Sequence, residues 1–316
     1  MVERFVGIDV AKGHLDLAWN DETSTRRIAN DAADIAALVT ELQQAKPALV
    51  VLEASGGYQA AVLAALLAAE VPAVAVNPRQ VRDFAKASGV LEKTDAIDAR
   101  LLAQFAMRIR PEVRVRPADA PDAAFDELVA RRRQIIEMLV AEKNRLQQAS
   151  SKKVVRDVRA HIEWLKKRLK DVDSDLNKAI SEHKNWDARV ELIESMPGVG
   201  RITAVTLLSA LPELGHVNRK AIAKLVGVAP LADDSGKRNG ARRIWGGRAQ
   251  VRSVLYMATI TAVRWNPAIR SYYASMLARG KLAKVAIVAC MHKMLTTLNA
   301  MLRSKSPWRA PITAAQ

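Results

Sequence analysis

The chain has 316 residues, half of them hydrophobic, with one cysteine and a net charge of +16. That length and apolar content are typical of a globular protein of two or three domains and exclude an intrinsically disordered chain. The lone Cys290 excludes a disulfide scaffold and suits a reducing cytoplasm, and cysteine and histidine are too sparse for a zinc site. Met1 leads directly into a strand pattern, and Glu70 and Pro72 interrupt the apolar run 60–76, so we expect neither a signal peptide nor a membrane span.

The positive charge lies almost entirely in the last third of the chain. The net charge is −2 over residues 1–110, +3 over 111–187 and +15 over 188–316. A basic block of this size is typical of a surface that binds a polyanion, most often nucleic acid, and the alternative is a solvated basic surface without a partner. The acidic N-terminal region is expected to have a different role.

The first third has the pattern of an α/β domain. The predicted elements, in chain order, are strands at 5–10, 14–19 and 25–28, a helix at 31–45, an apolar strand at 48–52, a helix at 58–69, a strand at 71–76 and two further helices. Two acids are associated with strand ends, because Asp9 is near the end of the first strand and Glu53 follows the central one. His14 and Asp16 on the second strand are interpreted as ordinary strand residues.

A helix with two acids in its first turn follows this sheet. Thr94 stands at the N-cap position, and Asp95 and Asp98 are three residues apart, so they share one face of the helix. The helix dipole alone favours acids there, but Asp9 and Glu53 are expected at the carboxyl ends of neighbouring strands, where sites form in open sheets. Four converging carboxylates predict a divalent-metal site, in which two cations roughly 4 Å apart support phosphoryl transfer.

This arrangement resembles the α/β RNase H-like fold, and more narrowly the RuvC-like nucleases. The alternative is the actin and sugar-kinase fold, which also opens on a strand with Gly-Ile-Asp and a hairpin. That fold needs further phosphate-binding loops, for which Ser55-Gly56-Gly57 is only a weak candidate.

The middle of the chain has the pattern of a helical hairpin. A Pro-rich linker over residues 110–121 precedes two apolar runs with heptad-like spacing, which begin at Phe125 and Val155. Two such helices bury little surface alone, so we expect a coiled-coil hairpin that packs against a second copy; an arm that packs on its own domains is the alternative. The three arginines at 131–133 are interpreted as a solvated face, with nucleic-acid contact as the other reading.

The last third contains a turn that resembles a helix-hairpin-helix element. A helix ends before Pro197-Gly198-Val199-Gly200, and a new apolar helix starts at Arg201. Glycines allow the backbone to approach a phosphate, which the exposed amides of a helix start bind without reading sequence. Gly198, Gly200 and Arg201 are therefore predicted to contact nucleic acid, although a plain helix-helix turn has the same pattern.

A polar, basic loop follows the short helix that ends at Gly227. Ser235 is followed there by four basic residues, which are Lys237, Arg238, Arg242 and Arg243. A loop serine among cations suits either the nucleophile of a phosphoryl transfer or a simple phosphate contact, and the loop alone does not separate these roles. The four cations are predicted to bind nucleic acid.

The four acids, the Pro197-Gly198-Val199-Gly200 turn, the stretch 227–230 and the loop 234–236 together resemble the insertion sequence 110 family of transposases over almost the whole chain. The resemblance implies a DNA recombinase that moves its own element, guided by a structured RNA that pairs with donor and target DNA. It implies Mg²⁺ or Mn²⁺ at the catalytic acids Asp9, Glu53, Asp95 and Asp98.

The same resemblance implies a covalent link between Ser235 and DNA. It also implies a composite site, in which different protomers of a dimeric or tetrameric homo-oligomer supply the acids and the serine. One local departure from the family pattern concerns nucleic-acid contact. Where family members often carry Lys or Arg after the Arg-Arg-Ile segment, this chain has Trp245-Gly246-Gly247.

Four segments are therefore expected in a cytoplasmic protein that associates with the nucleoid when it binds DNA and has no membrane partner. They are a RuvC-like metal-dependent catalytic domain over 1–110, a linker and coiled-coil hairpin over 111–187, a mainly helical transposase domain with the helix-hairpin-helix turn over 188–303, and a tail over 304–316. Two other functions remain open. One is a metal-only RuvC-like junction nuclease or resolvase, in which Ser235 merely binds phosphate; the other is a non-enzymatic helix-hairpin-helix DNA-binding protein.

Overall fold

The computed structural model describes residues 3–54, 56–90, 92, 95–113, 123–182, 184–232, 234–236, 240 and 242–310. For residues 95–97, 123, 184 and 185 it describes the backbone alone. The chain divides into two compact units, unit 1 (Met1–Val115) and unit 2 (Arg116–Gln316). Thr94, the expected N-cap, and most of the expected linker lie outside the described residues.

Unit 1 is built on a five-stranded mixed sheet. Its strands are β1 (Phe5–Val10), β2 (His14–Trp19), β3 (Thr25–Ala29), β4 (Leu49–Glu53) and β5 (Ala73–Val76), and its helices are α1 (Ala32–Ala45), α2 (Ala60–Ala68), α3 (Pro78–Ala87) and α4 (Asp95–Ile109). The strand order is β3-β2-β1-β4-β5. The first three strands pair with one another in antiparallel, whereas β4 pairs in parallel with both β1 and β5. This sheet and its helices fit the expected α/β RNase H-like domain.

The two faces of the sheet carry different helices, because side chains alternate along each strand. Val6, Ile8 and Val10 of β1 face one core, which α1 and α2 cover. Phe5 of β1 packs with Leu102 and other residues of α3 and α4 in the second core. Asp9, four positions after Phe5, therefore points to the α4 face of the sheet.

Among the described residues of unit 2 the regular elements are helices, joined by turns and loops that include one bridge between Leu231 and Arg243. Its helices are α5 (Ala123–Gln148), α6 (Lys152–Glu182), α7 (Lys184–Glu194), α8 (Arg201–Ala210), α9 (Arg219–Val226), α10 (Ala249–Trp265), α11 (Pro267–Ala278) and α12 (Ala283–Ser304). One continuous hydrophobic core runs from α5 to α12. Gly227 ends α9 with a left-handed backbone, as its sequence predicts.

The helices α5 and α6 form the expected hairpin, and its base packs on the rest of unit 2. Phe125 meets Trp186 edge to face, with ring centroids 4.7 Å apart, and the Ser209 hydroxyl donates to Asp126 Oδ1 at 2.7 Å. The sequence predicts separate segments for the hairpin and the C-terminal helices. The structure places both in one compact unit, because their apolar faces share one core.

Part of the expected frayed tail is docked. Ser304 is the last residue of α12, and Trp308 packs against the core of unit 2. The Trp308 amide donates to Ser195 Oγ at 2.9 Å. Trp308 therefore does not fray, because an indole that finds an apolar surface is stabilised by burial, and the rest of the expected tail stays a prediction.

Helix α12 has the length and apolar character of a membrane span. It is also a central core helix of unit 2, with Cys290, Met294 and Leu298 fully buried. Core helices of globular domains meet the same length and composition criteria, so α12 is weak support for a span.

Candidate metal centre and serine loop

The sheet register brings Asp9 and Glu53 to neighbouring strand ends. Ile8 pairs with Leu52 across the parallel strands β1 and β4, so the next residues on each strand are Asp9 and Glu53. Both lie on the α4 face, since Val51 of β4 belongs to the same core as Phe5. The Val10 amide donates to Asp9 Oδ1 at 3.0 Å, which orients that carboxylate at the end of its strand.

Helix α4 lies directly on this edge because β1 contains a glycine. A Cβ atom at Gly7 would stand 2.2 Å from the Ala99 carbonyl oxygen and 2.3 Å from the Ala103 amide nitrogen. Any larger residue would therefore hold α4 away from the sheet. Ala99 follows Asp98 in the helix, and Gly7 precedes Asp9 by two residues on the same face, so this close approach brings the start of α4 towards Asp9.

The direction of α4 agrees with that placement. Gln104, late in the helix, donates to the Asn20 carbonyl at 3.2 Å, and Asn20 Oδ1 accepts from the Phe5 amide at the start of β1. The C-terminal half of α4 thus lies by the beginning of β1. Asp98, near its N-terminus, consequently lies towards the strand's carboxyl end, where Asp9 is.

The donor set fits a hard divalent cation, because every predicted ligand is a carboxylate. Asp9, Glu53 and Asp98 are each partly exposed, whereas the side chain of Asp95 lies outside the described residues. Within the described part of the chain, no three His, Cys, Asp or Glu side chains stand close enough to hold a metal ion together. The backbone brings the acids to one edge of the sheet, and the four-ligand set stays a prediction.

Ser235 lies exposed on a loop whose base is closed by backbone bonds. Leu231 and Arg243 exchange N–H···O bonds of 2.9 and 3.3 Å. Within the loop, Asp234 accepts from the Gly240 amide at 3.1 Å and from the Arg242 guanidinium at 3.3 Å. Asp234 thus bridges the two sides of the loop next to the serine.

Two of the four predicted loop cations can be placed. Arg242 and Arg243 are exposed, and Lys237 and Arg238 lie outside the described residues. Arg242 has part of its charge offset by Asp234. The exposed ion pair is worth roughly 0–1 kcal/mol, so a phosphate can displace the aspartate from Arg242 at little cost.

The loop begins and ends on a rigid base. Arg248 donates to both carboxylate oxygens of Glu213 at 2.6 Å and to the Ala210 carbonyl at 3.0 Å. A Cβ atom at Gly227 would stand 2.3 Å from the Gly246 carbonyl oxygen, and one at Gly247 would stand 2.4 Å from the Gly227 nitrogen. The Trp245-Gly246-Gly247 departure from the family pattern therefore has a packing reason at Gly247, whereas Gly246 faces open space with a positive φ of 69°, and Trp245 itself is 62% exposed.

The predicted phosphate-binding turn is partly explained by packing. A Cβ atom at Gly198 would stand 2.5 Å from Ala262 Cα, so this glycine allows the turn to approach α10. Gly200, by contrast, faces open space at the start of α8, where no side chain caps the first turn. Arg201 pairs with Asp187 at 2.7 Å and lies 3.9 Å from Glu194. Phosphate contact at the three residues stays a prediction, and the open geometry favours it most at Gly200.

The two ends of the chain differ sharply in charge. Residues 235–316 contain 15 Lys and Arg and no Asp or Glu. Such a segment attracts phosphate and repels free metal cations, so a metal centre is favoured in the acidic N-terminal region.

Two family models match the chain. The transposase model of the insertion sequence 110 DEDD type matches residues 6–150, and the model described as "Transposase IS116/IS110/IS902 family" matches residues 190–274. The pilin gene-inverting protein of Moraxella bovis is 26% identical over 322 aligned positions, which cover 98% of both chains. An uncharacterized 44.8 kDa protein of insertion element IS116 from Streptomyces clavuligerus is 31% identical over 194 positions, covering 61% of this chain and 45% of its own length.

One solved structure similar to part of the chain is T. thermophilus RuvC in complex with a Holliday junction substrate. It is 20% identical and covers 34% of this chain and 96% of its own, with a TM-score of 0.26. At that TM-score the similarity supports no conclusion about the fold. The fold assignment rests on the strand order of unit 1.

Proposed function

Because the chain belongs to the insertion sequence 110 family of transposases, enzymes that recombine DNA, we propose that it moves its own DNA element through a phosphoserine intermediate under the guidance of a structured RNA. The observation that carries this proposal is the edge of unit 1 where the parallel register and the Gly7 contact bring Asp9, Glu53 and the start of α4 together. Because members of this family are transposases, the match argues against the alternative of a non-enzymatic helix-hairpin-helix DNA-binding protein. We further propose that the protein acts in the cytoplasm, on nucleoid DNA.

The chemistry divides between the two units. Mg²⁺ or Mn²⁺ at Asp9, Glu53, Asp95 and Asp98 would polarise a scissile phosphate and stabilise the leaving oxygen. Ser235 Oγ attacks the phosphorus and loses its proton, while the DNA oxygen on the opposite side leaves and is protonated. A second DNA hydroxyl then attacks the phosphoserine and releases Ser235, so the number of phosphodiester bonds is conserved. Arg242 and Arg243 stabilise the phosphate charge during both steps.

The exposed position of Ser235 supports this division. A free serine hydroxyl is a weak nucleophile and needs a base, a metal or cations to activate it. Among the described residues of its loop, the acid nearest in sequence is Asp234, whose oxygens are engaged by Gly240 and Arg242. We propose that acids of another protomer complete the site, and that donor DNA, target DNA and the guide RNA bind the basic segment after residue 234.

Self-association is proposed through the outer face of the hairpin. Leu165 is fully buried in the seam between α5 and α6, so the seam is already used within one chain. Val140, Val154 and Trp164 on the two helices remain about half exposed. These side chains offer a second copy an apolar surface that the seam does not.

Covalent trapping separates the proposed mechanism from the metal-only nuclease. With guide RNA, DNA and Mg²⁺, the full-length protein is expected to form a denaturation-resistant protein–DNA species, which Ser235→Ala should lose while it still binds both nucleic acids. Ser271→Ala, at an exposed serine on α11, is the matched control. Trapping that persists in Ser235→Ala would overturn the serine assignment. Sequencing the RNA that co-purifies with the protein tests the guide independently.

A further inference from the structure

A row of charged side chains crosses the α4 face of the sheet in unit 1. Asp9 pairs with Asp16 across β1 and β2, and Asp16 pairs with Arg27 across β2 and β3. Glu53 lies next to Asp9 on β4. Directly paired residues point to the same side of a sheet, so one cation and three carboxylates stand on neighbouring strands in the order Arg27, Asp16, Asp9, Glu53.

The sequence pattern suggests that Asp16 is an ordinary strand residue. The structure shows instead a buried carboxylate, with 4% exposure. Its Cβ atom is expected roughly 4.5–5.5 Å from that of Asp9, a distance at which like charges destabilise a sheet. A buried carboxylate at that distance is stable only if it is strongly paired.

Arg27 supplies this pairing with a two-point contact. Its Nε and Nη2 atoms donate to Asp16 Oδ1 and Oδ2, each at 2.8 Å, and His14 Nε2 lies 3.5 Å from Oδ2. Both carboxylate oxygens are thus held by the guanidinium, on the β3 side of the row. The metal edge, with Asp9 and Glu53, lies on the other side.

Building on the proposed metal centre, we propose that Arg27 is a positioning residue that keeps Asp16 out of the metal-ligand set. Mg²⁺ binds through few carboxylates and retains positions for water and substrate phosphate, whereas Ca²⁺ takes 6–8 oxygen ligands in a flexible shell. A fifth carboxylate at this edge would fill positions that the DNA phosphate needs and would favour Ca²⁺. The contact between Arg27 and Asp16 therefore sets both the open coordination of the site and its preference for the smaller cation.

A purely structural pair between β2 and β3 makes a different prediction. In that case, loss of Arg27 lowers stability and leaves the cation affinity of the folded protein unchanged. If Arg27 restrains Asp16, its loss raises Ca²⁺ affinity, and removal of the Asp16 charge cancels the gain.

A double-substitution cycle on the full-length protein tests this. We expect Arg27→Gln to bind Ca²⁺ about tenfold tighter in titration calorimetry, with a smaller gain for Mg²⁺, because a released carboxylate adds a unit negative charge close to the site. The double variant should bind both cations as the unsubstituted protein does, because it is as neutral as the ion pair that it replaces, whereas Asp16→Asn alone leaves Arg27 unpaired and should bind neither cation more tightly. Arg26→Gln is the matched control, because Arg26 is the neighbouring residue of β3 and pairs instead with Glu41 at 2.7 Å.

Each other outcome counts against a stated part of the inference. Unchanged Ca²⁺ affinity in folded Arg27→Gln, or equally tight binding by the double variant, overturns the role of Arg27. If Arg27→Gln does not fold, Arg27→Lys carries the test, since it keeps the charge without the two-point contact and should show a smaller gain of the same sign; no gain there overturns the proposal. Equal cation binding by the unsubstituted protein and Asp9→Asn would instead overturn the metal centre proposed above.

Discussion

Units 1 and 2 position their predicted reactive groups by different physical means. In unit 1 the acids lie on regular elements. Strand register places Asp9 beside Glu53, and the contact at Gly7 sets the distance between α4 and the sheet. In unit 2 the serine lies on an exposed loop held by a short bridge and by Asp234. Regular elements place a side chain through many cooperative backbone bonds, whereas a loop depends on a few contacts that ligands can exchange.

The electrostatics of the two regions differ in the same way. Carboxylates among the cations of residues 235–316 would pair with arginine, as Asp234 does with Arg242, and would lose affinity for a metal ion. Phosphate binding near the acids of unit 1 would meet repulsion without a cation between them. Under the proposed mechanism, which divides acids and serine between two regions, neither cost would arise.

The largest expected effect tests the role of unit 1. Asp9→Asn keeps the size of the side chain but removes a carboxylate from the metal edge, and recombination should fall at least about 100-fold. Binding of RNA and DNA should stay near that of the unsubstituted protein, because the basic segment is unchanged. Asp83→Asn, at an exposed acid of α3, is the control. Normal recombination by Asp9→Asn would show that the carboxylate of Asp9 is not required for catalysis, which contradicts the proposed metal centre.

A mixing experiment tests whether the two regions cooperate across protomers. Asp9→Asn and Ser235→Ala are each expected to be inactive alone. Mixed oligomers contain sites with one intact acidic set and one intact serine, so the mixture should recover a measurable fraction of recombination. If sedimentation shows mixed oligomers that remain inactive, acids and serine must come from one chain.

The structure also shows which features were readable from the sequence. The strand pattern predicts β1 and β4 with their acids, because alternation and apolar runs report directly on sheet faces. The burial of Asp16 does not follow from the alternating pattern, since a single acid in such a strand looks solvent-exposed until its partner Arg27 on β3 is known. A basic residue eleven positions after the acid, on the next antiparallel strand, is the sequence signal of this pairing.

The last third was harder to interpret for a related reason. Its pattern of glycines predicts turns but does not tell a packing glycine from one that exposes a phosphate site. Gly198 and Gly247 contact other backbone segments, and only the fold reveals those neighbours. The docking of Trp308 is likewise a tertiary contact between residues 113 positions apart, which no local pattern reports.

Alanine substitutions at one glycine of each unit are expected to change stability by intermediate amounts, and they compare a packed position with an open one. Gly7→Ala should lower the free energy of unfolding by about 3 kcal/mol or more, because the new methyl group meets backbone atoms of α4. Gly200→Ala should cost less than about 1 kcal/mol, since the turn is open there and its φ of −94° suits alanine. Urea denaturation measures both. Equal losses would mean that Gly7 does not set the position of α4.

The smallest expected effect concerns Cys290, and it tests whether the helical core of unit 2 that supports the Ser235 loop is rigid. The thiol is fully buried in α12, and burial raises its pKa to about 11. At pH 8 the folded protein should therefore react with iodoacetamide at least about 100-fold more slowly than the urea-unfolded chain, from the difference in thiolate fraction alone. A raised pKa of this kind stabilises the fold below the ordinary thiol pKa, and the stabilisation is lost as pH rises towards 11. Rapid labelling at pH 8 without urea would show that α12 opens readily, and the loop serine would then lack the rigid base that Arg248 and Glu213 provide.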